Sequence, residues 1–147
     1  MSKQLGKALI TGASAGIGAT YAERLARRGH DLLLVARDIQ RLEAMAGRLS
    51  QEYGVKVEVL KADLSDKAEL RAVEDRLRSD GEFGLLVNNA GIATNGTLAE
   101  ADLDLAEKLI QLNVVALTRL AAVAAAQFST RGAWRHHQPG LGGGLGA

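Results

Sequence analysis

"TGASAGIG", residues 11–18, is the stretch whose reading decides the fold. It stands between a short apolar run, "KALITG" (Lys7 to Gly12), and a helical pattern, "AGIGATYAERLARRG". A glycine cluster between a strand and a helix has a physical use in that place. Gly12 allows the tight turn, Gly16 lets backbone approach a bound pyrophosphate, and Gly18 lets the helix pack close to the strand. The amino end of the helix then offers N–H groups to the anion. The spacing is G-x-x-x-G-x-G rather than G-x-G-x-x-G, and the Lys-Ser/Thr pair of a P-loop is missing. Taken alone, such a cluster also fits an ordinary turn.

Outward from this turn, strand and helix patterns alternate. Ile17, Tyr21 and Leu25 are spaced to share one helical face, Arg27 and Arg28 suit the last turn, and Gly29 suits the position after it. "DLLLVA" (Asp31 to Ala36) is continuously apolar, as in a strand covered on both sides. Asp38 fits the N-cap of a second helix that buries Ile39, Leu42, Met45 and Leu49 and stops at Gly54. "VKVEVL" (Val55 to Leu60) alternates as a strand does. Asp66 and Glu69 have capping-box spacing ahead of Leu70, Val73 and Leu77. "FGLLVNNAG" makes a fourth strand, and one long helix is predicted from about Asp102 to Phe128, with Leu105, Leu109, Leu112 and Leu120 among its apolar positions. This β-α-β-α-β-α-β-α order predicts an α/β, Rossmann-like doubly wound parallel sheet with strands in the order 3-2-1-4.

Composition narrows the function classes. The chain has 147 residues, enough for one domain with a core, and a formal net charge of +1, which gives no electrostatic case for nucleic acid or an anionic membrane. With no cysteine there is no disulfide or thiolate metal site, which fits a reducing compartment. The apolar run of "MSKQLGKALITG" is too short for a signal peptide, and Leu120 to Ala126 is too short to span a membrane. A cytoplasmic location is the expectation.

With three further motifs in place, the chain resembles the short-chain dehydrogenase/reductase family. The matching residues are "TGASAGIG" at 11–18, "ADL" at 62–64, "NNAG" at 88–91 and Asn113 in "QLNVVA". They cover roughly Lys7 to Gln127, in the family's order and spacing. The resemblance implies a nicotinamide dinucleotide as cofactor and a small-molecule carbonyl or alcohol as substrate, interconverted by hydride transfer. It implies cofactor contacts at Gly12, Ser14, Gly16, Ile17, Gly18 and Arg37. It places Asp63 and Leu64 near the adenine and Asn89, Ala90 and Gly91 along the cleft. Asn113 becomes the helix-borne member of the catalytic tetrad, helping to hold a water in the proton relay. Full-length relatives are expected to be homo-oligomers.

Each residue also has a duller use. Asp63 can cap or turn the chain after the third strand, Asn88 and Asn89 are good turn formers, and the family itself gives that pair a partly structural role. Asn113 in an apolar helix needs a hydrogen-bond partner whatever its role. Cofactor choice turns on "LLLVARD". A carboxylate at the end of the second strand favours NAD by accepting from the ribose 2′-OH, whereas an arginine pairs with the 2′-phosphate of NADP. Asp38 lies 20 residues beyond Gly18, the nominal distance for an NAD-selecting acid, but it also fits the helix N-cap. Arg37 comes first after the strand, so NADP(H) is favoured and NAD(H) is the alternative.

The family's proton relay needs a Tyr with a Lys four residues later, and a Ser that orients the substrate oxygen. The only tyrosines are Tyr21 and Tyr53, followed at that distance by Leu25 and Val57, and Ser129 precedes any fifth strand. The catalytic Ser, Tyr and Lys are thus expected to be absent. Composition breaks near Ser129: "RGAWRHHQPGLGGGLGA" (131–147) holds the only Trp and the only Pro. Codons for this stretch, read one nucleotide over from Trp134, can spell GVITNLASVVAWA, which looks like the family's fifth strand and its Ser, hidden within "PGLGG". The partition is therefore a dinucleotide-binding part at 1–128 and an irregular, out-of-frame tail at 129–147, truncating the sheet after the fourth strand and its helix. That leaves the fourth strand as an open edge and part of the long helix uncovered, and such surfaces favour aggregation. His136 and His137, being adjacent, do not converge on one metal, and no metal site is expected. Two alternatives stay open: a non-catalytic dinucleotide-binding or interaction fragment, and a subunit completed by another chain.

Overall fold

The computed structural model describes residues 5–89, 103–129, 135–137 and 145–146. Four strands, β1 (Lys7–Thr11), β2 (Leu32–Ala36), β3 (Val57–Lys61) and β4 (Phe83–Val87), alternate with α1 (Gly16–Arg27), α2 (Ile39–Tyr53) and α3 (Lys67–Ser79). They lie parallel in the order β3-β2-β1-β4. The order and class read from the sequence hold. β1 and β2 are buried along their whole length, and β1 shows why a continuous apolar run is needed. Ala8 and Ile10 pack on the side of α1 and α2, while Leu9 packs on the side of α3 and the helix after β4. β3, at the sheet's edge, is only partly buried.

The helix ends follow their capping residues. Asp38 accepts from the Arg41 N–H at 3.1 Å, and Gly54 closes α2 in the left-handed region at φ 70°. Asp66 accepts from the N–H groups of Ala68 and Glu69. Glu69 departs from capping-box reciprocity: its carboxylate accepts instead from the Asp63 N–H at 3.1 Å, tying the β3–α3 loop to the first turn of α3. On α1 the buried face is Gly18, Ala22, Leu25 and Ala26, and Tyr21 packs at its border. Ile17, expected to share that face, is 56% exposed. Small residues bring α1 against the sheet, so the contact is centred one position round the helix from Ile17.

Beyond β4, the single helix expected from Asp102 to Phe128 proves to be three segments: α4 (Leu103–Ile110), a π-helical turn (Gln111–Ala116) and α5 (Leu117–Ser129). Leu112 and Leu120 are buried as expected, whereas Leu105 and Leu109 have side chains outside the described residues. Ile110 and Val114 are exposed, so part of this helix face is uncovered. Glu74 of α3, 1% exposed, takes a two-pronged bond from Arg119 of α5, with Nη2–Oε1 at 2.7 Å and Nε–Oε2 at 3.0 Å. This pairs the buried Glu74 carboxylate between the two helices.

Where the sequence leads one to expect an irregular stretch from 129, the structure adds two short strands. β5 (Arg135–His137) runs parallel to β4, with Leu85 opposite Arg135 and Val87 opposite His137. β6 (Leu145–Gly146) runs antiparallel to β5. The edge of β4 is therefore paired over these residues, not open. Ladder hydrogen bonds are made by backbone groups, so an unpaired edge recruits even a polar triplet with no strand pattern of its own.

At the amino ends of the strands, Lys7 is buried among charges. Its Nζ lies 2.5 Å from Glu58 Oε1, 2.9 Å from Asp80 Oδ2 and 5.1 Å from the centre of the Phe83 ring. Hydrogen bonds from Lys7 and Arg76 hold the Glu58 carboxyl below its ordinary 4.5. Burial works to raise the Asp80 carboxyl, but the bonds from Lys7 and the Glu82 N–H outweigh it and hold it below 3.8. Because both folded values are depressed, their stabilisation is complete above the ordinary values and is lost as pH falls through the folded ones. Thermal midpoints are expected to drop as pH falls below 4.5 and 3.8 towards the depressed folded values, and Lys7→Met should flatten that slope. An identical slope in the variant would show that the network plays no part.

Among the described residues no helix is long and apolar enough to cross a membrane, and no group of three or more His, Cys, Asp or Glu could hold a metal ion.

Candidate functional site

The strand order reverses between β1 and β4, and the carboxyl ends of all four strands open there on one cleft of about 560 Å³. In a doubly wound sheet this switch point is where ligands bind. Gly12, Ser14 and Ala15 line it from the turn after β1, Arg37 and Asp38 from the end of β2, Ala62, Asp63 and Leu64 from the end of β3, and Asn89 from the end of β4. Four separate sequence motifs thus meet in one place.

The glycine turn is built for close approach. Gly12 has φ 62° and Gly16 has φ 59°, both in the left-handed region. A Cβ built on Gly16 would meet nothing within 4 Å, so that side of the turn is open. One built on Gly18 would collide with the Gly12 carbonyl and come within 2.8 Å of Asn89 Nδ2. Ala15, the residue at the N-cap of α1, supplies no side-chain acceptor, and no acidic residue lies in the first turn. Among the described residues, the α1 amino end therefore keeps its N–H groups and partial positive charge free of protein anions. Ile17, placed by resemblance among the cofactor contacts, is exposed on this first turn.

A buried hydrogen-bond chain holds the mouth together. The Asn89 N–H donates to Thr11 Oγ1 at 2.9 Å, and Thr11 Oγ1 donates to Asn88 Oδ1 at 3.2 Å. Asn88 Nδ2 donates in turn to the Leu117 carbonyl at 3.0 Å. This joins the ends of β1 and β4 to the first turn of α5. The duller role of the Asn pair is thus present in the structure, and Thr11, which sequence reading passed over, is its hub. Thr11 sits immediately before Gly12, where a β-branched residue already fits the strand.

Asp63 is likewise held by a turn: its Oδ1 accepts from Ser65 N at 3.0 Å and from Ser65 Oγ at 2.6 Å. Burial works to raise its carboxyl, but the Ser65 bonds, with Lys108 and Arg37 nearby, outweigh it and hold it below the ordinary range. At the end of β2 the two charged neighbours part company. Asp38 caps α2 and pairs with Arg41, while Arg37 is exposed on the cleft and makes no salt bridge among the described residues.

Asn113 lies on the π-helical turn, its side chain outside the described residues, as are Ala90 and Gly91. Sequence reading did not flag Leu112, which closes the cleft from that same turn, nor Ala15 and Ala62. Their signal is weak, since small or apolar residues at cleft walls look like any core residue.

Residues 6–134 match the sequence pattern of the family described as short chain dehydrogenase. The chain superposes on the bulky-bulky ketone specific alcohol dehydrogenase from Comamonas testosteroni with a TM-score of 0.90 and 47% identity, over 92% of this chain and 55% of that one. It superposes on a short-chain dehydrogenase from Sphingobium yanoikuyae in complex with NADPH with a TM-score of 0.89 and 56% identity, over 91% of this chain and 53% of that one. A very-long-chain 3-oxoacyl-CoA reductase from Anas platyrhynchos is 35% identical over 77% of this chain and 38% of its own length. The chain therefore spans about half, or less, of the proteins it is similar to. On the match over 6–134 and the shared architecture, the chain belongs to the short chain dehydrogenase family.

Proposed function

We propose that this chain is the cofactor-binding part of an NADP(H)-dependent oxidoreductase that interconverts small-molecule carbonyls and alcohols. The observation that carries the reading is the uncapped amino end of α1, opening on the cleft beside a glycine turn with room for a ligand. A dinucleotide's pyrophosphate fits there, because free N–H groups and a positive helix end favour an anion. Arg37 supports the phosphorylated form: it faces the cleft unpaired by any salt bridge among the described residues, while Asp38 is engaged by α2. The Sphingobium relative in complex with NADPH, and an L-sorbose reductase from Gluconobacter frateurii complexed with NADPH, favour the same form.

The bound dinucleotide would supply or accept the hydride. In this reading the chain's own residues bind and orient. The backbone of Gly12 to Gly18, with Ser14, holds the pyrophosphate and Ile17 borders it. Asp63 and Leu64 flank the adenine, and Asn89 to Gly91 line the cleft. Asn113 holds a water for proton transfer. The 147 residues contain no Tyr followed four residues later by Lys, so this chain is proposed to bind cofactor without turnover. The partition also stands as a proposal, with 1–128 as the binding part and 129–147 as out-of-frame coding. Sequencing the gene across 129–147 tests it, and a shifted frame that does not continue into a Tyr-x-x-x-Lys sinks it. A cytoplasmic location, and homo-oligomers among full-length relatives, belong to the same reading.

Fluorescence enhancement of NADPH on mixing with the chain tests binding. Arg37→Ala is expected to weaken NADPH binding by about ten-fold and leave NADH within about two-fold, since only the phosphorylated form loses a charge-assisted bond. Equal losses for both cofactors would remove Arg37 from the 2′-phosphate. Consumption of NADPH with a panel of carbonyls would show the chain to be catalytic as it stands.

A further inference from the structure

Two opposite charges, Arg37 and Asp38, stand side by side on the rim of the cleft. A carboxylate at this point ordinarily accepts from a ribose 2′-OH and repels a 2′-phosphate, so Asp38 left to itself would offset Arg37. The structure turns it away. Asp38 Oδ1 accepts from the Arg41 N–H at 3.1 Å, and Oδ2 lies 3.5 Å from Arg41 Nε. Both oxygens are thus engaged by one residue a turn further along α2. Arg41 forms no other salt bridge among the described residues.

We infer that Arg41 is a specificity-determining residue: its guanidinium, 3.5 Å from Asp38 Oδ2, offsets the carboxylate that would select NAD(H) and leaves Arg37 to select NADP(H), while its backbone N–H holds Oδ1 whatever the side chain. The inference rests on the cofactor reading above. Its physical content is a difference between two ligands. The 2′-phosphate is a doubly charged group that feels an unmasked Asp38 as repulsion, whereas a 2′-OH gains an acceptor from the same change. The pair is exposed, with side chains 66% and 49% accessible, so its effect is modest and shrinks as salt rises.

The test is the ratio of NADPH to NADH affinity, measured by titrating each cofactor's fluorescence with the folded chain. Arg41→Gln is expected to lower the preference for NADPH by about three- to ten-fold, as loss of one partially screened charge pair facing a dianion predicts. Arg41→Lys should retain most of the preference. Asp38→Asn keeps an N-cap acceptor, so α2 remains capped, and adding Arg41→Gln to it should return the ratio to within about two-fold of the parent chain. A purely structural Arg41 would weaken both cofactors alike and leave the ratio untouched, which would overturn the inference. So would an equal fall in the ratio with Asp38→Asn present, since Arg41 would then act on the phosphate directly. If the parent chain binds neither cofactor, the cofactor reading falls and the inference with it; binding with an unmoved ratio overturns the inference alone.

Discussion

Gly18→Ala is expected to destabilise the chain by about 2–3 kcal/mol, the upper part of the range for forcing an extra carbon into a packed site. The added Cβ would lie 2.1 Å from the Gly12 carbonyl oxygen, far inside contact distance, and 2.8 Å from Asn89 Nδ2. The Asn89 amide can swing aside, but the backbone carbonyl cannot yield cheaply. Gly12 is held in the left-handed region at φ 62°, at the turn that starts α1. Relief would require α1 to lift from the sheet, opening the packing of Ala22, Leu25 and Ala26. A loss of this size lowers the thermal midpoint by roughly 5–10 °C in a chain of this length, readable by circular dichroism. NADPH binding should fall with it, because the same movement displaces the α1 amino end. Gly47→Ala is the matched control. Gly47 lies inside α2 with nothing within 4 Å of a built Cβ, so the same change there should stabilise by about 0.5–1 kcal/mol. An unchanged midpoint for Gly18→Ala would show that α1 does not make the close approach described.

Asn88→Ala is expected to destabilise by about 2–4 kcal/mol, the sum of two hydrogen-bonded partners left without their amide in a buried site. Asn88 is 4% exposed, accepts from Thr11 Oγ1 and donates to the Leu117 carbonyl. Asn88→Asp should be no better, because a carboxylate cannot donate to Leu117 and brings a buried charge. Denaturant midpoints measure the loss, with an unchanged slope showing that the folded state is otherwise intact. A double-mutant cycle with Thr11→Val should show coupling, since the two side chains share one bond and Asn89 hangs from the same hydroxyl. Additive losses would mean that the chain of bonds does not act as a unit.

Much of this fold was legible because its signals are local. The turn at 11–18, the fully apolar β2, and the caps at Asp38, Gly54 and Asp66 each act within a few residues, so their spacing in the chain is their spacing in space. Ile17 was misplaced by periodicity for a reason that is not local: the sheet, through Gly18 and Ala22, sets which face of α1 is buried. The π-helical turn at 111–116 was not legible, since a single turn with i→i+5 bonds is too short to set up an apolar period of its own. β5 was illegible because "RHH" carries no strand pattern, and only the presence of an unpaired β4 edge makes it a strand.

The candidate site divides in the same way. Its membership, glycines after β1, Asp63 after β3 and Asn89 after β4, could be named from motifs, because each motif stands at the carboxyl end of a recognisable strand. The sequence by itself determined the class of fold, the strand order and the residues at the ends of the strands, since these depend on periodicity and chain connectivity. Only the tertiary structure decided what those residues do with their polar atoms. It gave Asp38 to the end of α2 and left Arg37 on the cleft, made Thr11 the hub of the Asn88–Asn89 pair, and turned Glu69 back onto Asp63. A hydrogen bond is fixed by distances of about 3 Å between groups up to dozens of residues apart, and no pattern along the chain carries that distance.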